Sequence, residues 1–192
     1  MRKVRLYVMV LVVSVLMGML CGCGFENGTV RAYPQGDPNV ALEKYNKLLV
    51  EWAYDKNFPN DVYADFPEFY GGAYIGGHGN LVILLTQQNS HNEAYFEEII
   101  GLDNVVFETV KYSYKMLIEK SDAAVMVMDA VNQQYYNAVS SLGISVEDNA
   151  INVYMNMDVV ENYELDVQEI LAALTDYPNV KIIETRGYDE PA

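Results

Sequence analysis

Few side chains in this sequence have the chemistry that catalysis requires. The two histidines, His78 and His91, are the natural candidates for a general base or a metal ligand. His78 follows two glycines and His91 stands at the start of a predicted helix, so we interpret both as exposed polar residues. No second type of metal ligand stands at a recognised spacing from them. We therefore expect no catalytic residue, no metal site and no cofactor.

Two further stretches are similar to known ligand-binding loops but lack the residues that such loops require. The glycines at 76–79 are not followed by the Lys-Ser/Thr pair of a phosphate-binding loop. The acidic stretch from Asp158 to Asp166 lacks the ligand spacing and central glycine of a calcium loop, so we predict a solvated loop there. The sequence also has no Gly-x-Ser-x-Gly nucleophile elbow. A hydrolase is therefore the least favoured function.

The only two cysteines, Cys21 and Cys23, follow a segment that is typical of secretion. Arg2, Lys3 and Arg5 are basic, and Leu6–Leu20 is apolar except for Ser14 and Gly18. This pattern predicts a signal peptide over residues 1–22. A retained transmembrane anchor is the alternative, because about 20 apolar residues can span a bilayer. A disulfide between the cysteines is disfavoured, because an i, i+2 pair rarely has bridging geometry.

The cysteines favour the signal peptide over the anchor. Leu20-Cys21-Gly22-Cys23 resembles the bacterial lipobox, with an aliphatic residue three positions before the modified cysteine and a small residue directly before it. The resemblance implies cleavage after Gly22 and a diacylglycerol thioether on Cys23, with acyl chains such as palmitate. Cys21 would leave with the signal peptide. We therefore expect a lipoprotein held in the cell membrane through acylated Cys23, on the extracytoplasmic face.

The composition is acidic enough to exclude some partners. Twelve basic residues stand against 27 acidic ones, and the formal net charge is −15. Without the three basic residues of the leader the balance is 9 − 27 = −18. Such a charge repels phosphate backbones, so we expect no nucleic acid partner. An acidic exterior suits solvation or a cationic partner.

The first part of the chain predicts a small lobe that mixes helices and strands. Residues 23–36 have no period and indicate a tether, and Asp37-Pro38 predicts a capped helix start. Phe69–Thr86 predicts a β-hairpin whose turn is rich in glycine. A helix capped by Ser90 with Glu93, and a strand at Val105–Val110, complete an N-terminal lobe over residues 37–111.

The second part repeats this order after one long helix. Tyr112–Ser141 contains no glycine or proline and predicts a bridging helix, assigned to residues 112–142 and closed by Gly143. A hairpin from Ile144 to Met157, a helix capped by Asp166 and a strand at Val180–Thr185 follow. The predicted C-terminal lobe with its tail covers residues 143–192. The fold class is therefore α+β, with two small lobes joined by a long helix and preceded by an N-terminal helix.

The two lobes can be aligned as an architectural duplication of strand, turn, strand, helix and strand. The alternative is that unrelated units of this kind look alike. The proposed equivalences are Asn80 with Asn149, Asn104-Val105 with Asn179-Val180, and Phe107-Glu108-Thr109 with Ile183-Glu184-Thr185.

Several phrases resemble the pro-region of alpha-lytic protease and the streptogrisins. They are the hairpin phrase at residues 70–86, Val-Lys-Tyr-Ser-Tyr-x-x-Leu at 110–117 and the hairpin at 143–154. The resemblance, which covers roughly residues 69–185, implies a two-lobed α+β chaperone that folds an adjacent serine protease and then inhibits it. It also implies that the sheet of the second lobe packs against the protease, and that a tail like residues 186–192 enters its cleft.

The sequence lacks the Gly-Asp-Ser-Gly phrase of such a protease. We therefore expect a stand-alone lipoprotein that carries the pro-region alone, similar to a group of lipoproteins from anaerobic Gram-positive bacteria. Its function would be a non-catalytic binding or inhibitory module for an extracellular protein such as a serine protease. The alternative is a structural or adhesion lipoprotein of the cell envelope.

Overall fold

The computed structural model describes residues 33–53 and 66–186. The signal peptide, Cys23, most of the tether and the tail beyond Arg186 lie outside the described residues. From Gln35 onward the chain forms one compact unit. Its elements, in chain order, are α1 (Pro38–Ala53), β1 (Tyr70–Ile75), β2 (Leu81–Leu85), α2 (Ser90–Ile100), β3 (Val105–Thr109), α3 (Tyr114–Gln134), β4 (Val139–Ser145), β5 (Ala150–Asn156), α4 (Met157–Asn162), α5 (Val167–Leu174) and β6 (Val180–Thr185).

The described strands form two three-stranded sheets of the same topology, which confirms the α+β fold class. The sheet orders are β1-β2-β3 and β4-β5-β6. In each sheet the first two strands form an antiparallel hairpin, and the third strand joins the second in parallel. A parallel partner requires a crossover, and α2 in the first lobe and α5 in the second provide it.

The first core lies between the first sheet and the helices α1 and α2. The central strand β2 presents Leu81, Ile83 and Leu85 to this core. Trp52 from α1 and Phe96 from α2 meet edge to face there, with ring centroids 6.2 Å apart. Burying such large rings supplies most of the hydrophobic stabilisation that a small lobe can gain.

The second core lies between the second sheet and three helices, of which α3 is the longest. Leu117, Ala124 and Val131 form the buried face of α3 and contact Ile151, Val153 and Met155 of β5. The predicted end of this helix at Ser141 is wrong, because α3 ends at Gln134 and β4 already begins at Val139. Positive φ angles at Tyr136 and Asn137 break the helix, and they require no glycine or proline.

The helix α3 does more than join the two lobes, the role that the sequence predicts for it. Each lobe begins with a helix that packs on the same face of its sheet as the crossover helix, α1 in the first lobe and α3 in the second. The first turn of α3 also reaches the first lobe, because the Tyr114 ring lies 5.8 Å from that of Tyr70. The repeat therefore comprises helix, hairpin, helix and strand, and α3 opens its second copy.

The strand registers fix which residues of the two lobes are equivalent. Leu81 donates its N–H to the Asn104 carbonyl, and Ile151 donates its N–H to the Asn179 carbonyl. The Asn104 and Asn179 side chains each donate to the carbonyl two positions before those strand residues, at Gly79 and Asn149 respectively. The proposed equivalence of Asn104-Val105 with Asn179-Val180 is thus confirmed.

The other two proposed equivalences are wrong by one residue. Asn149 is equivalent to Gly79 rather than to Asn80, and both have positive φ. Thr109 lies opposite Leu85 in the same way as Glu184 lies opposite Met155, so Glu184 rather than Thr185 is its equivalent. The sequence could not set this register, because a one-residue shift leaves the residue types similar and is decided by backbone pairing.

Two local predictions at helix starts need correction, and two are confirmed. The cap of α2 is Asn89 rather than Ser90, because its Oδ1 accepts from the N–H groups of His91 and Asn92. Residues 157–162 of the predicted acidic loop form α4, with Asn156 as the cap. The predicted caps Asp37 and Asp166 each accept an N–H from the first helical turn, at 2.8 Å.

Candidate binding surface

Of the residues that the sequence marks as candidates for chemistry, the structure describes the two histidines. The lipidation site Cys23 lies outside the described residues, so its modification stays a prediction. His78 and His91 are both exposed and lie on different elements, the first hairpin turn and α2. Within residues 33–53 and 66–186, no three acidic, histidine or cysteine side chains cluster in a way that suits a metal ion. Across the same ranges, no helix is long and apolar enough to cross a bilayer.

The acidic stretch that begins at Asp158 forms ion pairs with an arginine of the same chain. Arg186 directly follows β6, and its Nη1 lies 3.5 Å from Asp158 Oδ1 and donates to Glu161 Oε2 at 3.1 Å, while its Nη2 donates to Glu161 Oε1. This hydrogen bonding lowers the pKa of the Glu161 carboxyl. The arrangement fastens α4 to the last strand, so the structure gives these acids a structural partner.

The faces of the two sheets turned away from their helices differ in exposure. In the first sheet, Val82 and Leu84 point to this outer face, yet each is only 1% exposed. The second lobe covers part of this face, because a Cβ on Gly72 would lie 2.5 Å from Val146 Cγ1. Gly72 has a φ of +121°, so it provides both the space and the backbone conformation for this approach.

The outer face of the second sheet is open by comparison. Strand pairing places two rows of side chains on it, Ser141 with Tyr154 and Ile183, and Gly143 with Asn152 and Lys181. None of these residues is fully buried, and none belongs to the second core. We call these six residues the open sheet face. Ser141, the equivalent of Gly72, is exposed, because no described element covers it as Val146 covers Gly72.

One atom on the open sheet face lacks a hydrogen bond. The Asn152 Oδ1 is buried and has no hydrogen-bond partner among the described residues. Leaving a buried acceptor unsatisfied costs about 1–3 kcal/mol. Val82, the equivalent residue of the first sheet, has no polar atom in its side chain. The open sheet face therefore carries a polar group that no described residue satisfies.

Charge on the open sheet face is balanced by a neighbouring ion pair. Lys181 Nζ lies 2.7 Å from Asp148 Oδ2, and Ser145 Oγ donates to the same oxygen at 2.7 Å. Burial acts to raise the pKa of Asp148, but the hydrogen bonds from Lys181 and Ser145 outweigh it and the pKa is lowered. The same pairing raises the pKa of Lys181. The centre of the face, at Tyr154 and Ile183, is therefore apolar, with a neutralised charge at its border.

Both edges of the second sheet also lack a strand partner. β4 and β6 each pair only with β5, so no strand within the described ranges bonds to their outer edges. Such an edge offers a row of backbone N–H and C=O groups to an added strand. The open sheet face and these edges together form the candidate binding surface.

Comparison with known protein families gives a match over the first lobe. Residues 32–110 match the model of a family described as "Pro-like N-terminal domain". The chain therefore carries a protease pro-region-like domain over these residues. The match ends just before α3, so it covers the first lobe alone, and the second lobe shares with that lobe the strand order described above. A search of curated proteins found no match.

The candidate binding surface could be predicted only in part from the sequence. The sequence predicted the last strand at Val180–Thr185, which the structure has at the same bounds. It did not reveal Tyr154, Ile183 or Asn152 as surface residues, because alternation in β5 shows two faces without showing which one is covered. The polar Asn152 within an apolar strand was the one signal that could have marked the open side.

Proposed function

We propose that this protein is a non-catalytic module that binds an extracytoplasmic protein through the second lobe, and that a secreted serine protease is the partner. The observation that carries the proposal is the open sheet face. In the first lobe the equivalent face is covered by the next lobe of the chain. In the second lobe it carries the partly exposed Tyr154 and Ile183 and an acceptor that no described residue satisfies, and these are features of a surface that a partner covers.

The pro-region-like domain over residues 32–110 supports the choice of partner. Pro-regions of this type act by binding a folded or folding protease rather than by chemistry of their own, as the sequence resemblance implies. A partner that covers Tyr154 and Ile183 would bury an aromatic anchor and an aliphatic neighbour, a combination common at energetic hot spots. A donor group of the partner would also satisfy the Asn152 acceptor.

The same proposal places the module on the outer side of the cell membrane, anchored through a lipidated Cys23. Its support is the lipobox-like Leu20-Cys21-Gly22-Cys23 after an apolar leader. Acyl chains would keep the module close to proteases as they are secreted. The test is mass spectrometry of the native membrane fraction, which should find a mature N-terminus at Cys23 that carries acyl chains. A mature chain that retains Arg2, or that begins at another residue, would contradict the anchor.

The binding proposal is tested with a soluble form that begins at Gly24, measured against the secreted serine proteases of the same organism. We expect binding or inhibition of at least one protease. Tyr154→Ala and Ile183→Ala should each weaken binding about tenfold, since each removes an apolar contact at the centre of the face. Met126→Gln, on the opposite side of the second lobe, is the matched control and should leave binding unchanged.

A second version, ending at Thr185, separates the contribution of the tail from that of the sheet. If the tail enters a protease cleft, inhibition should fall while binding through the sheet persists. If neither version binds any of the proteases, the module does not act as a pro-region. A structural or adhesion role in the envelope would then replace this function.

A further inference from the structure

The long helix α3 carries a second exposed surface that the proposed function does not use. Its solvent side bears three large apolar residues, Met116, Val127 and Met126, and Met126 is 85% exposed. Ala123 and Ala130 on the same side are exposed as well. We call these five residues the α3 stripe.

The members of the α3 stripe share one side of the helix. At 100° per residue they fall within an arc of about 100°, whose centre lies about 110° around the helix from that of the buried residues Leu117, Ala124 and Val131. From Met116 to Ala130 the stripe runs about 21 Å along the helix axis, at 1.5 Å per residue. The corresponding helix of the first lobe, α1, has only Leu42 and Val50 as large exposed apolar residues. The stripe is therefore a property of the second lobe rather than of the repeat.

Two acids accompany the α3 stripe. Glu119 and Asp129 are exposed on α3 and have no ion-pair partner within the part of the chain that the structure describes. At 100° per residue, Glu119 lies inside the arc of the stripe, and Asp129 lies about 60° beyond Met126. The two lysines of the helix are each engaged by an acid from elsewhere in the chain, Lys115 by Glu68 at 2.6 Å and Lys120 by Asp176 at 2.7 Å. Apolar side chains with acids among and beside them complement a ligand that is apolar on one side and basic on the other.

We propose that the α3 stripe is a docking site for a basic amphipathic helix of a partner protein. A helix of about 14 residues matches the length of the stripe. Flexible methionine side chains adapt to the apolar side of such a helix. The carboxylates of Glu119 and Asp129 favour lysine or arginine on its other side. A second copy of this chain is a poor occupant, because both surfaces are acidic. An anionic membrane surface is disfavoured for the same reason.

The site is separate from the candidate binding surface. The buried face of α3 lies against the core side of the second sheet, so α3 and the open sheet face lie on opposite sides of that sheet. Two partners can therefore bind at once. Failure of the protease proposal leaves this docking site untouched, and the reverse also holds.

The test uses the soluble form from Gly24 and a synthetic peptide of about 15 residues in which leucines form one helical face and lysines the other. A scrambled peptide of the same composition, which has no apolar face, is the ligand control. We expect the amphipathic peptide to bind at least about tenfold more tightly than the scrambled peptide, with an affinity that falls as the salt concentration rises.

Two variants locate the site. The double change Met126→Gln with Val127→Gln removes apolar contact at constant charge and should weaken peptide binding about tenfold. The double change Glu119→Lys with Asp129→Lys should weaken it and reduce its salt dependence. Val50→Gln, at a 54% exposed position of α1, is the control and should bind like the unmodified protein.

Four outcomes would overturn the proposal. Equal binding of the scrambled peptide would show non-specific attraction to an acidic protein, and equal loss in the Val50 control would place the site elsewhere. A dimer in solution that Met126→Gln dissociates would make a second copy the occupant. Binding to vesicles with an anionic lipid fraction, but not to the peptide, would make a membrane surface the occupant.

Discussion

Asn149 does more than any other single residue to join the two lobes. Its side-chain amide donates to the Tyr112 carbonyl at 2.9 Å and accepts the Tyr112 N–H at 3.0 Å. The same amide nitrogen lies 3.5 Å from the Gly71 carbonyl of the first sheet. Its own carbonyl accepts from the Tyr177 hydroxyl at 3.1 Å and from Asn179 at 2.9 Å. One turn residue therefore holds the interlobe segment, both sheets and the loop before β6.

Removal of this side chain should be costly. Asn149→Gly keeps a residue that tolerates the observed φ of +50°, so the change isolates the lost amide bonds. We expect the free energy of unfolding to fall by about 1–3 kcal/mol, measured by urea denaturation. Asn137→Gly is the matched control, at an exposed position with a φ of +62°. It should change stability by less than about 1 kcal/mol, and an equal loss in both variants would deny Asn149 this role.

Tyr114, at the contact between α3 and the first lobe, should make the free energy of unfolding depend on pH. Burial, with a smaller contribution from Tyr45, raises the pKa of Tyr114 to about 12. The folded protein then holds the phenol proton at pH values at which the unfolded chain, with a pKa of about 10, has released it. Stability conferred by the neutral phenol is present below pH 10 and is lost as the pH rises towards 12.

The corresponding measurement is the free energy of unfolding between pH 9 and pH 12. It should fall over this range, and Tyr114→Phe should recover about 1–2 kcal/mol of the loss because phenylalanine does not titrate. Tyr70 also has a raised pKa through burial, so part of the loss should remain in the variant. An identical pH profile for the variant and the unmodified protein would show that Tyr114 ionises freely in the folded state.

At the scale of elements, the central strands β2 and β5 share a register but differ in what covers their outer face. Leu84 and Tyr154 occupy equivalent positions, opposite the strand bulge in each hairpin. Leu84 is 1% exposed, while Tyr154 is partly exposed. The same backbone position is therefore a core position in the first lobe and a surface position in the second.

A pair of alanine substitutions measures this difference. Leu84→Ala should lower the free energy of unfolding by roughly 2–4 kcal/mol, because a buried cavity results. Tyr154→Ala should cost less than half as much, since Tyr154 is already partly exposed in the folded protein. Both are measured by thermal and urea denaturation. Equal costs would show that the outer face of the second sheet is covered in solution, which would remove the basis for the candidate binding surface.

At the scale of the whole molecule, the shared contacts make the two lobes one cooperative unit. Each lobe alone has a three-stranded sheet and few helices, which buries little surface. Tyr114 packs against both cores, and Asn149 bonds the second hairpin to the segment that links the lobes. We expect one unfolding transition for the body of the protein.

The single tryptophan provides the probe for this prediction. Trp52 lies in the first core, where its indole N–H donates to the Tyr95 hydroxyl at 2.8 Å. Val153→Ala weakens the second core, so in a cooperative molecule it should lower the denaturation midpoint that Trp52 fluorescence reports. Far-ultraviolet circular dichroism should give the same midpoint. An unchanged Trp52 midpoint, with a second transition in circular dichroism, would show that the lobes unfold independently.

The sequence by itself determined the local features of this protein. Alternating and apolar runs predicted the strands, and the Asp37 and Asp166 caps predicted two helix starts, because these signals depend on residues a few positions apart. The apolar leader with Cys23 made a lipid anchor the prediction. Short phrases identified the resemblance to a protease pro-region, and the family match over residues 32–110 bears it out for the first lobe.

Only the tertiary structure decided which surfaces are covered. The end of α3 at Gln134, the equivalence of Asn149 with Gly79 and the exposure of Tyr154 all depend on contacts between residues distant in the chain. Such contacts are set by the packing of one lobe on the next, and residue types along a strand do not encode them. The open sheet face exists because the second lobe covers the first, while no described element covers the second in the same way.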